Sequence, residues 1–169
     1  MRNISYFMFK IYKYFFKLQI FKIILVGIIA PLLINIFFSI MSYIAGLDNP
    51  YNGGYTTDFK DFLLIVVIAP LIETIIFQYT PLKIAEQFLD KSKFIFCIPI
   101  IITSILFGLL HWKSGLYIFV AFFYGLSWSF CCLVFMRRKQ GPIFYTAFIH
   151  SCYNGLLFCL TLAINLFET

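Results

Sequence analysis

The sequence predicts an all-α fold, a polytopic membrane helix bundle of about five transmembrane helices with an amphipathic helix at its N-terminus. Of the 169 residues, 62% are hydrophobic and 12% are charged, whereas a soluble domain is about half apolar and about 25% charged. The mean hydropathy is +0.94. Several apolar stretches are also long enough to cross a hydrocarbon core of about 30 Å. These observations favour one compact membrane domain over residues 1–169.

The first predicted element is the N-terminal stretch ISYFMFKIYKYFFKLQIF. A helical period places Lys10, Lys13 and Lys17 on one face among aromatic side chains. This pattern is typical of an amphipathic helix that lies in the cytoplasmic interface of a membrane. A membrane-proximal flank without a specific partner is the alternative interpretation.

The predicted spans follow in order along the chain. They are helices because lipid offers exposed backbone groups no hydrogen-bond partner, and the sequence shows no alternating barrel pattern. All lack Asp, Glu, Lys and Arg except the second, which contains Glu73. The spans are residues 23–46, 62–80, 94–112, 115–136 and 142–167.

The positive charges predict the orientation of the chain. If the N-terminus is cytoplasmic, all but two of the 13 Lys and Arg residues lie in inside segments, and the positive-inside rule favours that topology. The two exceptions are Lys60 and Lys113. The net charge of +6 therefore indicates anionic membrane lipid as a partner, not nucleic acid. We expect an integral protein of the plasma (inner) membrane.

Four polar side chains in the spans form a candidate site. Glu73 is a formal charge where an acidic group costs roughly 2.5 to 3.5 kcal/mol, so a functional role is the default. His111 and His150 are the only two histidines in the sequence, and Asn154 shares a helical face with His150. A carboxylate can take a proton from water, a histidine can assist it, and a histidine with an asparagine can stabilise an oxyanion. This set suffices for amide hydrolysis.

Other interpretations of the same residues stay open. His111, beside Trp112 and Lys113, is also typical of an interfacial anchor, and His150 with Asn154 of hydrogen bonding between helices. The glutamate and the two histidines match a three-ligand catalytic zinc set, although HExxH spacing is absent, so we expect no cofactor and keep zinc as the alternative. A small proton-coupled transporter is a weaker possibility.

The order of these residues resembles the CPBP family of glutamate-dependent intramembrane proteases, which comprises CAAX proteases and bacteriocin-processing enzymes and is also called the Abi family. Its motifs, EExxxR, FxxxH and HxxxN, lie on successive core helices. The resemblance covers roughly residues 62–160, the motif-bearing core. It rests on ETIIFQ from Glu73, on Phe107 with His111, on His150 with Asn154, and on the context of Ala69, Pro70 and Phe77.

The resemblance implies a role for each matched residue. Glu73 and His111 would activate the hydrolytic water, and His150 and Asn154 would stabilise the oxyanion. The implied substrates are membrane-associated proteins or peptides, such as prenylated CAAX tails, leader peptides or pheromone precursors.

Two residues depart from the first family motif. Thr74 stands in place of its second glutamate and Gln78 in place of its arginine. Because both charges are lost together, we predict a neutral hydrogen-bonded pair at i, i+4 in place of an ion pair. The same departure favours the alternative of a non-catalytic membrane protein of this fold, with an immunity or scaffold role.

Depth along the helices gives a geometric expectation. Glu73 and His150 lie about 10 Å from the cytoplasmic ends of their spans, and His111 about 25 Å from its own, at 1.5 Å per residue. Straight helices would keep His111 apart, so either the third helix starts deeper or HWKSG folds back. Pro70 also predicts a kink, because its ring crowds the carbonyl of Val66.

Overall fold

The structure of the protein, a computed structural model, describes residues 2–47, 58–89 and 97–168. This part of the chain forms six helices and no strand. Five are α1 (Arg2–Lys17), α2 (Ile20–Ile44), α4 (Cys97–Leu110), α5 (Gly115–Arg137) and α6 (Pro142–Glu168). The remaining helix, α3, joins the consecutive segments Phe59–Phe62, Leu63–Ile68, Ala69–Glu73, Thr74–Tyr79 and Thr80–Leu89.

Four stretches of these helices are long and apolar enough to cross a membrane: Ile20–Ile44, Phe59–Phe88, Gly115–Arg137 and Pro142–Phe167. The described part of α4 is apolar but only 14 residues long, about 21 Å at the helical rise. The third predicted span begins at residue 94, outside the described residues. The predicted all-α membrane bundle is confirmed, and the protein is an integral membrane protein.

Helix α5 lies at the centre of the bundle. It contacts α2, α4 and α6, and the segment Thr74–Tyr79 of α3. It is the most buried of the membrane-crossing helices, and apolar residues occur all round it, as expected for a helix enclosed by others. Side chains from α2, α4 and α6 complete the core around Tyr124 and Trp128.

Small residues bring α4 against α5. A Cβ atom on Gly125 would lie 2.9 Å from the Ser104 Cα atom, and one on Gly108 would lie 2.8 Å from the Ile118 carbonyl oxygen. Neither contact leaves room for a methyl group, so glycine permits this close approach. The approach fixes Phe107, which follows Ser104 on α4, beside the core of α5.

Helix α2 packs through a face of buried residues spaced four apart, Ile23, Gly27 and Pro31. A Cβ atom on Gly27 would lie 2.9 Å from Cγ2 of Ile149 in α6, which shows how closely the two helices approach. One turn beyond Pro31 on the same face, Asn35 donates from Nδ2 to the Tyr153 hydroxyl over 3.0 Å. Helix α2 is thereby tied to α6.

The predicted N-terminal helix is confirmed over Arg2–Lys17. Phe15 packs edge-on against Phe130 of α5, with ring centroids 5.1 Å apart. Just after α1, the Leu18 carbonyl accepts a hydrogen bond from Nη1 of Arg138 over 2.7 Å. These contacts place α1 against the C-terminal end of α5, and its position in the membrane interface stays a prediction.

A tight turn sets α6 beside α5. At the end of α5 the Gln140 N–H donates to the Phe135 carbonyl and the Lys139 N–H to that of Met136. These two bonds form a Schellman motif, in which the residue after the cap is left-handed. Lys139 takes that conformation with a φ of 56°, and Gly141 follows with a φ of 48°.

The kink predicted at Pro70 stays a prediction, and the structure shows how the backbone of α3 bonds before this proline. The segment Leu63–Ile68 is π-helical, so the Ala69 N–H donates to the carbonyl of Leu64, five residues back. In this register the next carbonyl, that of Ile65, would receive the N–H of residue 70. A proline has no N–H. The carbonyl that Pro70 leaves without a backbone donor is therefore that of Ile65 and not that of Val66.

Candidate active site

Glu73 and His150 face each other across the contact between α3 and α6. Their Oε2 and Nε2 atoms lie 3.8 Å apart. The His150 side chain is 4% exposed and that of Glu73 is 20% exposed. This separation is too long for a direct hydrogen bond, which requires about 3.2 Å or less. The two groups are close enough to form hydrogen bonds to one oxygen atom between them.

Phe107 links the two histidines. Its ring centroid lies 4.6 Å from that of His111 and 5.8 Å from that of His150. Because Phe107 is almost fully buried, the two imidazoles flank one fixed aromatic ring. The structure thus brings His111 close to His150, which straight spans of the predicted lengths would not do.

His111 lies just beyond the end of α4. Its backbone N–H donates to the Gly108 carbonyl over 2.9 Å, which closes the last turn. The stretch HWKSG then forms a short turn into α5, where Ser114 Oγ accepts from the Tyr117 N–H over 3.0 Å and caps the helix. The chain reversal that the sequence suggested at HWKSG is therefore a tight helix-to-helix turn.

The hydrogen bond of His111 fixes its tautomer. Nδ1 lies 2.8 Å from the Phe107 carbonyl oxygen. A carbonyl oxygen only accepts, so Nδ1 must carry the hydrogen. In the neutral ring Nε2 is then the nitrogen with the free lone pair. His111 can therefore accept a proton at Nε2 without losing its anchor on α4.

Asn154 joins α6 to the π-helical segment of α3. Its Nδ2 donates to the Ile65 carbonyl oxygen over 2.9 Å, the oxygen that Pro70 leaves without a backbone donor. An amide nitrogen carries two hydrogens, so one stays free for another acceptor. Asn154 lies one turn after His150, and this bond holds that part of α6 next to the helix of Glu73.

Thr74 and Gln78 do not form the predicted hydrogen-bonded pair. Both side chains are fully buried, and Thr74 Oγ1 and both amide atoms of Gln78 have no hydrogen-bond partner. The segment Thr74–Tyr79 is π-helical, and its i→i+5 bonding replaces the i→i+4 spacing of an α-helix. Neither side chain bonds to the other, so the prediction of a hydrogen-bonded pair was wrong.

Phe77, the other motif-supporting residue of this segment, is partly buried. It packs against the core cluster that contains Phe107 and Trp128.

Among the described residues, no group of three or more His, Cys, Asp or Glu side chains is arranged to hold a metal ion.

One residue next to the candidate site was missed by sequence reasoning. Trp128 of α5 stacks on His150, with ring centroids 3.8 Å apart and an angle of 26° between the planes. Tryptophan in membrane proteins is enriched at the interfaces, and its buried N–H needs a partner. A tryptophan in the middle of an apolar span was therefore a usable signal.

Comparison with known proteins gives a family for the chain. A family model described as type II CAAX prenyl endopeptidase Rce1-like matches residues 56–156, more than half of the 169 residues. The four candidate catalytic residues all lie within the match. No curated protein and no solved structure matches the chain. The resemblance predicted from the motifs is confirmed, and the chain belongs to the Rce1-like family of type II CAAX prenyl endopeptidases.

Proposed function

We propose that the protein is an intramembrane endopeptidase that hydrolyses a peptide bond of a membrane-associated protein or peptide, with Glu73 as the base. The observation that carries this proposal is the 3.8 Å separation between Glu73 Oε2 and His150 Nε2 inside a membrane helix bundle. Family membership supports the reaction class. The arrangement of positive charges supports a cytoplasmic N-terminus, and we propose the plasma (inner) membrane as the location.

The geometry supports activation of water by Glu73. A water oxygen about 2.8 Å from each of two atoms, an ordinary hydrogen-bond distance, spans the gap between Glu73 and His150. The Glu73 carboxylate takes a proton from this water, and the remaining oxygen bonds to the carbonyl carbon of the substrate. His111, with its free lone pair at Nε2, assists by orienting the water or accepting a proton.

The oxyanion that forms needs hydrogen-bond donors. His150 Nε2, which faces a carboxylate, carries the hydrogen in the neutral ring and can donate it. The second hydrogen on Asn154 Nδ2 supplies another donor from the same helix. The protonated Glu73 then gives its proton to the leaving nitrogen as the C–N bond breaks. The products are a carboxylic acid, which keeps the second hydrogen of the water, and an amine.

The family description suggests a substrate class. Its name refers to prenyl endopeptidases, so we propose that a prenylated C-terminal peptide is the first substrate to test. An unprenylated, membrane-bound leader-type peptide is the second.

The test uses the full chain purified and placed in lipid nanodiscs. Each peptide is incubated with the protein in ¹⁸O-labelled water, and the products are identified by mass spectrometry. We expect cleavage of at least one peptide, with ¹⁸O in the new carboxyl group, and no loss of rate with a metal chelator. Absence of cleavage of both peptides contradicts the proposal. Cleavage that a chelator abolishes and zinc restores would support the zinc alternative.

A further inference from the structure

The position of His150 depends on contacts that the reaction itself does not use. His150 Nδ1 is buried and has no hydrogen-bond partner. A catalytic histidine is commonly oriented by a hydrogen bond at its second nitrogen. Here aromatic rings contact the imidazole instead: Trp128 stacks on it at 3.8 Å and Phe107 packs edge-on at 5.8 Å. Packing therefore sets the plane of this ring.

Trp128 is itself held in place by an unusual acceptor. Its Nε1–H donates to the Gly27 carbonyl oxygen of α2 over 3.2 Å. In an α-helix that oxygen would receive the N–H of residue 31, and residue 31 is a proline inside α2. Pro31 has no N–H to give. The indole N–H thus donates to a carbonyl that the helix leaves without a backbone donor.

The surrounding contacts leave this geometry little freedom. Gly27 approaches Ile149, the neighbour of His150, so closely that a Cβ atom would lie 2.9 Å from its Cγ2. Trp128 is also flanked by Tyr124 and Tyr153, with ring centroids 5.8 and 5.6 Å away. Trp128 and His150 are both almost fully buried. Helix α2 therefore contacts the residues that hold His150 in place, although none of its own residues belongs to the candidate site.

We propose that Trp128 is a positioning residue for His150: its ring sets the plane of the imidazole, and its N–H is anchored on the Gly27 carbonyl that Pro31 leaves free. The kinetic consequence rests on the proposed function, whereas the structural consequence does not. Each is tested by its own measurement.

The anchor is tested by a double-mutant cycle on thermal stability. Trp128→Phe keeps an aromatic ring and loses the N–H, so the Gly27 carbonyl becomes a buried acceptor without a donor. We expect the midpoint of unfolding to fall by about 2 to 4 °C or more. Pro31→Ala supplies a backbone N–H to the same carbonyl. In that background Trp128→Phe should therefore lower the midpoint of unfolding by clearly less. Equal losses in both backgrounds would overturn the anchor.

The matched control is Trp112→Phe. Trp112 is 80% exposed, so this exchange of the same two residue types should leave the midpoint unchanged. A fall in the Trp112→Phe midpoint equal to that of Trp128→Phe would also count against the anchor.

The stacking is tested by NMR of the histidine side chains. The chain has two histidines, so one His111→Asn variant assigns both sets of imidazole signals. An aromatic ring stacked at this distance shifts the His150 ring protons upfield. Trp128→Leu should abolish that shift, and Trp128→Phe should retain part of it. Unchanged His150 signals in folded Trp128→Leu would overturn the positioning role.

The kinetic measurement follows once cleavage is established. Trp128→Phe should lower kcat by about 10- to 100-fold, as expected for a misplaced catalytic group, with KM little changed. The Pro31→Ala and Trp128→Phe double variant should not recover that loss, because the helix then satisfies the Gly27 carbonyl while the phenylalanine ring stays unanchored. A change in KM alone would overturn the role. A protein that cleaves neither peptide overturns the proposed function only, since the stability cycle and the histidine signals do not depend on cleavage.

Discussion

Oε2 of Glu73 lies 3.8 Å from Nε2 of His150, across the contact between the two motif-bearing helices α3 and α6. The distance exceeds that of a direct hydrogen bond and suits one bridging oxygen. Asn154 holds the same two helices together one turn away, through the Ile65 carbonyl. The candidate site therefore lies where these contacts hold α3 and α6 against each other.

His111→Asn should abolish cleavage without unfolding the protein. The asparagine amide can still donate to the Phe107 carbonyl, as Nδ1 does now, but no acceptor remains at the position of Nε2. We expect kcat to fall by about 10² to 10⁴, the usual contribution of a proton-transfer group. The measurement is the rate of peptide cleavage beside the unfolding midpoint. Full activity would show that the Nε2 lone pair is not needed.

Thr74→Val should stabilise the protein. The Thr74 hydroxyl is buried without a partner, and such a group costs about 1 to 3 kcal/mol. The control is Thr103→Val: Thr103 is equally buried, but its hydroxyl bonds to the Ile100 carbonyl and to Ser129 Oγ, each at 2.8 Å. Thermal unfolding in the same detergent should show opposite signs for the two variants. A fall in midpoint for Thr74→Val would mean that its hydroxyl has a stabilising partner.

Asn154→Asp should be more damaging than Asn35→Asp. Asn154 donates to a carbonyl, which cannot donate in return, so a carboxylate there meets a second acceptor. Asn35 donates to the Tyr153 hydroxyl, which can donate to a carboxylate instead. We expect an additional loss of about 1 to 3 kcal/mol for the first variant, measured as the difference in free energy of unfolding. Equal losses would show that the Ile65 bond contributes nothing.

Gly125→Ala should destabilise the packing that positions His111. A methyl group would lie 2.9 Å from the Cα atom of Ser104, and backbone cannot move aside as a flexible side chain can. We expect a loss of about 1 to 3 kcal/mol from overpacking, together with reduced cleavage. Gly115→Ala is the control, because nothing lies within 4 Å of a Cβ atom there. An unchanged midpoint for Gly125→Ala would show that the two helices can separate without cost.

The membrane bundle was predictable because apolar length and composition report directly on lipid. Glu73 and the histidine motifs were also visible, since charged and polar groups stand out in an apolar span. The sequence positions of these residues did not predict where His111 lies in the bundle. Its place depends on where α4 ends and on how closely Gly108 and Gly125 let α4 approach α5. That is a property of packing between segments distant in sequence.

The sequence did not predict the π-helical segments of α3 either. Pro70 predicts a disturbed helix but not the π-helical winding of Leu63–Ile68 before it. The π-helical register moves the carbonyl without a backbone donor from Val66 to Ile65, and Asn154 donates to that carbonyl. The sequence also did not show that the Thr74 hydroxyl and the Gln78 amide are buried without a hydrogen bond between them.

In the proposed mechanism Glu73 activates the water that cleaves the substrate. The most direct measurement is the rate of product formation by Glu73→Gln in nanodiscs, beside the native chain and Glu86→Gln. Glu86 also carries a carboxylate but pairs with Lys83 and Arg137, away from the candidate site. We predict that Glu73→Gln keeps its fold and loses cleavage, while Glu86→Gln stays active. Native rates of cleavage by folded Glu73→Gln would contradict a catalytic role for Glu73.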